Sequence, residues 1–367
     1  MSKKSITFIS VARSDFGRLY PTINAVNNDS SFDLNLIVTG NHNSEKFGSS
    51  IEEILSHGIE INHQINLKSG DMAGRSAEIS TGLNKWFKAN GTDFFVILGD
   101  RYEMLAAAQS AFFNNVPIIH IGGGYQTSGA IDDQVRHAIS VLSTYHFTAT
   151  EKCRKRVIEI INHDQGVFLS GAPDLEILKN IETLSKDSFY EKCGLKENKP
   201  FVLVTVHPET LLSLEENEEN LGELRLFLEE IEEQILITAP CADPGAEKVF
   251  EMIEELKKSR GDVIYIKSLG MEKYATAMKF AELMIGNSSS GIIESASMGI
   301  PVLNVGERQG GREINTNVLN SRFRKINLHR RYDALKCPDF KRMCMDIDNI
   351  YGDGRFSKSF VKFLNIL

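Results

Sequence analysis

Along the chain, short apolar runs rich in β-branched residues alternate with stretches whose apolar positions follow helical spacing. The runs are Ile6–Val11, Leu34–Val38, Phe94–Leu98, Pro117–Ile121, His146–Ala149, Phe201–Val206, Ile235–Ala239, Val263–Ile266, Leu283–Ile285 and Val302–Val305. This alternation predicts repeated βα units and parallel sheets. Most runs are continuous rather than alternating, so helices are predicted to cover both faces of each strand. The charged stretch from Lys179 to Pro200 interrupts the pattern before a new run begins at Phe201. With 367 residues the chain also exceeds the roughly 250–300 at which one core stops growing. The prediction is an α/β protein of two Rossmann-like, doubly wound domains, residues 1–180 and 181–367. Ligands would bind beyond the carboxyl ends of the strands, at an interdomain cleft. From Tyr332 on, the chain reads as helical after Pro338, and its last helix can cross back to the first domain. Between Glu215 and Glu233, leucines and Ile231 recur at helical spacing among nine glutamates, which predicts a surface helix with an acidic face.

Composition narrows the function more than the fold. Apolar residues at 42% and charged residues at 25% are globular usage, and they exclude disordered and collagenous chains. A net charge of −8 argues against a general nucleic-acid or anionic-membrane binder, so any phosphate must be held locally. Cys153, Cys193, Cys241, Cys337 and Cys344 lie far apart without CxxC or Cys/His spacing; neither a disulfide framework nor a metal site is expected, and a cytoplasmic setting is. No run reaches the 18 or more apolar residues of a membrane span.

The candidate chemistry sits at strand ends. Gly286-Asn287-Ser288-Ser289-Ser290-Gly291-Ile292-Ile293-Glu294 follows a strand and opens a helix, where backbone N–H groups and hydroxyls make an anion cradle. A serine N-cap explains the serines but neither the flanking glycines nor Glu294, whose carboxylate suits ribose hydroxyls. The next strand ends in Gly306-Glu307-Arg308-Gln309-Gly310-Gly311-Arg312, with Arg308 and Arg312 suited to bidentate contact with phosphate. His207, held by Pro208 at a strand end, is placed to hydrogen-bond a pyrophosphate or to protonate a leaving group. In the first half, Arg13 follows the first strand, Gly99-Asp100-Arg101 follows another, and Asp132-Asp133 with Arg136-His137 opens a helix. An acid beside an arginine at a strand end is either a helix cap with a surface ion pair or a working group. The consecutive Gly122, Gly123 and Gly124, leading to Tyr125 and Thr127-Ser128-Gly129, suggest backbone lying against a ligand, or space kept open for one.

Taken together, Ala12–Phe16, Gly99–Glu103, Ile131–Asp133 with Arg136-His137, His207-Pro208, Gly286–Glu294 and Gly306–Arg312 resemble the hydrolysing UDP-N-acetylglucosamine 2-epimerases of sialic and legionaminic acid biosynthesis, over about residues 6 to 320. The resemblance implies a glycosyltransferase-B-like pair of domains and no cofactor. It also implies anti elimination of UDP to a 2-acetamidoglucal, followed by hydration to a free N-acetylmannosamine-type sugar. Arg13, Arg101, His207, Ser288, Ser289, Glu294 and Arg308 would contact UDP, with Ser290 and Arg312 beside them. Asp100, Asp132 and Asp133 are the candidate acids and bases, with His120 and Tyr125 as helpers near the sugar. The expected partner is a UDP-linked sugar, with neither nucleic acid nor membrane, and a homodimer or homotetramer is implied by analogy.

Two departures stand out. Where the family typically has a glutamate-bearing His-Ile-Glu or His-Gly-Gly-Glu segment, this chain has His120-Ile121-Gly122-Gly123-Gly124-Tyr125. A usual asparagine after the proline of Ile235–Pro240 is Cys241. Either another carboxylate carries the proton transfers, the sugar differs, or turnover is lost. A nucleotide-sugar binding protein and a glycosyltransferase therefore stay open beside the epimerase.

Overall fold

A computed structural model describes residues 3–43, 50–126, 131–241 and 243–367. The chain forms two compact units: one takes the segments up to Ile177 together with Tyr351–Leu367, the other Leu178–Ile350. In the first unit, strands β1 (Lys4–Ser10), β2 (Phe32–Val38), β3 (His63–Gln64), β4 (Phe94–Leu98), β5 (Ile118–Ile121), β6 (Tyr145–Thr148) and β7 (Val167–Leu169) form one sheet in the order 3-2-1-4-5-6-7. In the second, β8 (Phe201–Thr205), β9 (Gln234–Thr238), β10 (Val263–Ile266), β11 (Met284–Gly286), β12 (Val302–Val305) and β13 (Val318–Ser321) follow the order 10-9-8-11-12-13. Every strand pair is parallel. Both sheets thus reverse direction once, between β1 and β4 and between β8 and β11. All ten apolar runs read from the sequence are strands.

Side-chain alternation explains why those runs are continuous. In the first unit Phe8, Val96 and Leu98 pack into one cluster while Ile9, Phe95 and Ile97 pack into the cluster on the opposite face. In the second unit, the acidic stretch forms the helix Leu214–Leu228, started by a capping box between Ser213 and Glu216. Its Leu221, Leu224 and Leu228, with Ile231 beyond its end, join the core.

Tyr351–Leu367 ends the range read from the sequence as the second domain, yet it belongs to the first unit. Phe356, Phe360, Phe363 and Leu364, on one stripe of the helix Phe356–Ile366, join the cluster of Phe8 and Phe147. Phe147 alone meets three of these rings, with centroids 5.8, 5.0 and 5.2 Å away. Phe360 is fully buried, so Phe360→Ala is expected to cost about 3–5 kcal/mol. Urea unfolding followed by circular dichroism measures it, and a loss below about 1 kcal/mol would show that the helix contributes little to this core.

Candidate functional site

In open α/β sheets, crevices form where the strand order reverses, beyond the carboxyl ends of the strands. At the reversal in the second unit, Gly286 pairs with Thr205 across β11 and β8. A Cβ on Gly286 would lie 1.9 Å from the Thr205 carbonyl oxygen, and its φ is +139°, so only glycine brings the two strand exits together. Asn287 then staples them. Its Oδ1 accepts from the His207 N–H at 2.7 Å, and its Nδ2 donates to the His207 carbonyl at 2.9 Å.

His207 is buried, and its Nδ1 accepts from the Cys241 N–H at 2.9 Å. The ring proton is therefore on Nε2. Burial, reinforced by the Arg308 charge, holds the imidazole down to about 4, so it is a neutral donor.

Beside it, Ser288 and Ser290 share a hydroxyl bond of 3.0 Å, and Tyr274 reaches the Ser290 hydroxyl at 2.6 Å. Burial pushes the Tyr274 phenol up to about 12, so it keeps its proton. The helix expected after this loop is one turn, Ser290–Ile293, followed by the 3₁₀ turn Ser295–Met298. Its dipole is correspondingly small, and Ser289 makes no side-chain cap bond. Hydroxyls and loop N–H groups, rather than a helix dipole, are the donors this loop presents. Glu294 is half-buried at the end of the turn.

The arginines of the following loop have different surroundings. Arg308 donates to the Asn287 carbonyl at 3.3 Å, as does Gln309 at 2.9 Å, and Arg308 approaches Asp243 at 3.4 Å. Arg312 instead lines a cleft of about 250 Å³ with Asn304, Asn320 and Arg322. Glu209, given no role from the sequence, holds this loop by accepting from the N–H groups of Glu307 and Arg308.

At the reversal in the first unit, β1 leads into Arg13 and β4 into Asp100. Arg13 is exposed and paired with Glu53 at 2.7 Å. Arg101 forks onto Glu103 with two bonds of 3.2 Å. Arg136, only 1% exposed, donates to Asp100, to Asp133 and, at 2.7 Å, to the Tyr125 carbonyl. Among the described residues no guanidinium is bonded to Asp132; burial first and the Asp100 charge second raise its carboxyl above the usual range. Asp15, also unassigned from the sequence, is buried, with its carboxyl likewise raised by burial.

Two expectations for this unit are corrected. His120 is fully buried: Nε2 bonds the Gly99 carbonyl at 2.9 Å and Nδ1 the Ser140 hydroxyl at 3.2 Å. It braces the β4 exit, and burial holds it neutral, near 4. Gly124 serves packing, since a Cβ there would strike the Cys153 carbonyl at 2.2 Å, whereas the nearest atom to a Cβ on Gly122 would be 3.8 Å away. Thr127-Ser128-Gly129 lie outside the described residues. Among those described, no cluster of His, Cys, Asp and Glu is arranged for a metal, and no helix is long and apolar enough to cross a membrane.

Comparison with known proteins follows from this geometry. The family model described as UDP-N-acetylglucosamine 2-epimerase matches residues 24–365. A UDP-N,N'-diacetylbacillosamine 2-epimerase (hydrolyzing) of Legionella pneumophila is 31% identical, over 99% of this chain and 96% of its own length. A GDP/UDP-N,N'-diacetylbacillosamine 2-epimerase (hydrolyzing) of Campylobacter jejuni is 33% identical, over 93% and 90%. The crystal structure of UDP-GlcNAc 2-epimerase from Neisseria meningitidis bound to UDP-GlcNAc superposes with a TM-score of 0.83 at 20% identity, covering 99% of this chain and all of that one. That likeness carries the fold, a glycosyltransferase-B-like pair of Rossmann units.

The depressed histidines give a pH prediction. His207 and His120 are held neutral in the folded chain, while the unfolded chain protonates near 6.5, so their contribution to stability is present above that value and is lost as pH falls toward 4. Nitrogen-15 spectra of the imidazoles are expected to keep His207 as the neutral Nε2–H form at pH 5; protonation with a midpoint near 6.5 would overturn the assignment.

Proposed function

Since the chain belongs to the UDP-N-acetylglucosamine 2-epimerase family, we propose that it is a hydrolysing epimerase of a UDP-linked 2-acetamido sugar. UDP-N-acetylglucosamine and UDP-N,N'-diacetylbacillosamine are the candidate substrates, the latter suggested by the Legionella and Campylobacter relatives. The observation that supports the reading best is the carboxylate set at the first unit's strand reversal: Asp100 and Asp133 on one buried guanidinium, Asp132 beside them without one.

The C2 proton is not next to a carbonyl, so it becomes acidic only as the C1–O bond ionises. The second unit supplies what the departing diphosphate needs: the Ser288, Ser289 and Ser290 hydroxyls, Arg308 and the Nε2–H of His207, with Glu294 for the ribose. Arg13 and Arg101 are the anion contacts of the first unit. Asp132, whose carboxyl is raised by burial, takes the C2 proton while the C1–O electron pair leaves with UDP, giving the 2-acetamidoglucal. Water then adds hydroxyl to C1, and a proton returns to C2 on the opposite face from the Asp100 side. The balance is UDP-sugar plus water to UDP plus the free 2-epimer.

Incubation in deuterated water is expected to give UDP and a free sugar labelled at C2, read by NMR; free sugar without label would exclude the mechanism. Asp132→Asn should lower kcat about 10²–10⁴-fold while the melting-temperature rise on adding UDP is kept. A second reading, a nucleotide-sugar binding protein without turnover, is favoured by Gly122 and Tyr125 in place of acids. It predicts the same UDP-induced melting shift with no product from either sugar.

A further inference from the structure

A row of hydroxyls runs out to the end of β11. Tyr274, on the helix Gly270–Phe280, bonds the Ser290 hydroxyl at 2.6 Å, and Ser290 bonds the Ser288 hydroxyl at 3.0 Å. Ser290 is buried, whereas Ser288, two residues after the strand, is half-buried. A helical serine often closes its hydroxyl on a carbonyl one turn back, as Ser295 does on Gly291 at 2.7 Å. Ser290 instead links the phenol to Ser288. Behind the phenol, the Thr205 hydroxyl of β8 also reaches its oxygen, and Thr238 lies 2.9 Å from that threonine.

The ends of the row set its direction. A phenol is more acidic than an aliphatic alcohol, so it is the better donor and the poorer acceptor of the pair. Tyr274 therefore donates to Ser290, and the Ser290 proton passes on to Ser288. The Ser288 oxygen also receives the Ser290 N–H, at 3.4 Å. With two donors on its lone pairs, Ser288 has only its own proton left to give, directed away from Ser290. Each bond in such a row polarises the next by about 10–30%, which makes the last hydroxyl a stronger donor than a lone serine. Resting on the epimerase reading above, we propose that Tyr274 is a positioning residue for the departing diphosphate: through Ser290 it turns the Ser288 O–H toward the anion. Ser290 then serves the anion through Ser288. Negative charge on the diphosphate grows as the C1–O bond ionises, so a donor aimed in advance acts on kcat more than on KM.

Tyr274→Phe removes one oxygen and keeps the ring. It is expected to lower kcat and the calorimetric affinity for UDP about tenfold each, with KM for the UDP-linked sugar within about threefold. Action through Ser288 is read by a double-mutant cycle: in a Ser288→Ala background, adding Tyr274→Phe should change either quantity by less than about twofold. Ser290→Ala breaks the row in its middle and should match Tyr274→Phe; it decides the matter if thermal melting shows Tyr274→Phe to be unfolded. A wild-type kcat and UDP affinity in either variant, or a full second loss in the Ser288→Ala background, would overturn the proposal. Should the wild-type chain bind UDP yet release no free sugar, the epimerase reading alone fails, and the cycle in UDP affinity still decides whether Tyr274 aims Ser288 at the anion. A wild-type chain that does not bind UDP sinks both.

Discussion

The chemistry available to the first unit depends on a guanidinium kept out of water. Arg136 is 1% exposed, and burying a lone charge there would cost several kcal/mol. Asp100, Asp133 and the Tyr125 carbonyl offset that cost by receiving its protons. Arginine stays charged across any working pH, so the guanidinium remains a donor to all three groups. The loop carrying Tyr125 is thereby tied to the exit of β4. Removing the arginine would leave two carboxylates without their shared counter-ion.

Both units put their polar groups where the strand order reverses, and each solves the same steric problem there. Neighbouring strands at a reversal send their following helices to opposite faces, leaving their ends uncovered. The backbone at those ends has lost its sheet partners and needs others. In the second unit Asn287 gives the His207 backbone both a donor and an acceptor, and the Glu209 carboxylate accepts from two N–H groups of the loop after β12. In the first unit the buried imidazole of His120 takes the Gly99 carbonyl. These braces satisfy the strand-end backbone without calling on the serine hydroxyls or the aspartates.

How much of this was readable in advance follows from where the contacts come from. Ten strands were legible because a strand covered on both faces must be continuously apolar. The three missed ones, β3, β7 and β13, are two to four residues long, and His63–Gln64 has no apolar residue at all. Aspartates, serines and arginines after strands were legible as candidates for the same reason, since the strand pattern fixes which residues lie at its end. Their supports were not. Glu209 meets residues about a hundred positions away, and Tyr274 meets Ser290 from a helix that carries no marker in its sequence. Arg136 was the exception, because Asp133 stands one helical turn before it. The packing of His120 and Gly124 was not legible since a strand-end position says nothing about what packs behind it, here Ser140 and the Cys153 backbone.

Fewer carboxylates need not mean a weaker base. Asp132 is already raised by burial and by the charge of Asp100, and each further acid nearby would raise it again. Pushed far enough, it would hold its proton at neutral pH and could not accept the one on C2. Glycine at 122 and tyrosine at 125 add no carboxylate to that like-charge crowding. In the proposed reaction the departing diphosphate calls on donors of the second unit, and these substitutions leave those donors untouched. Chemistry whose barrier lies mainly in ionising the C1–O bond responds more to those donors than to the number of acids around C2.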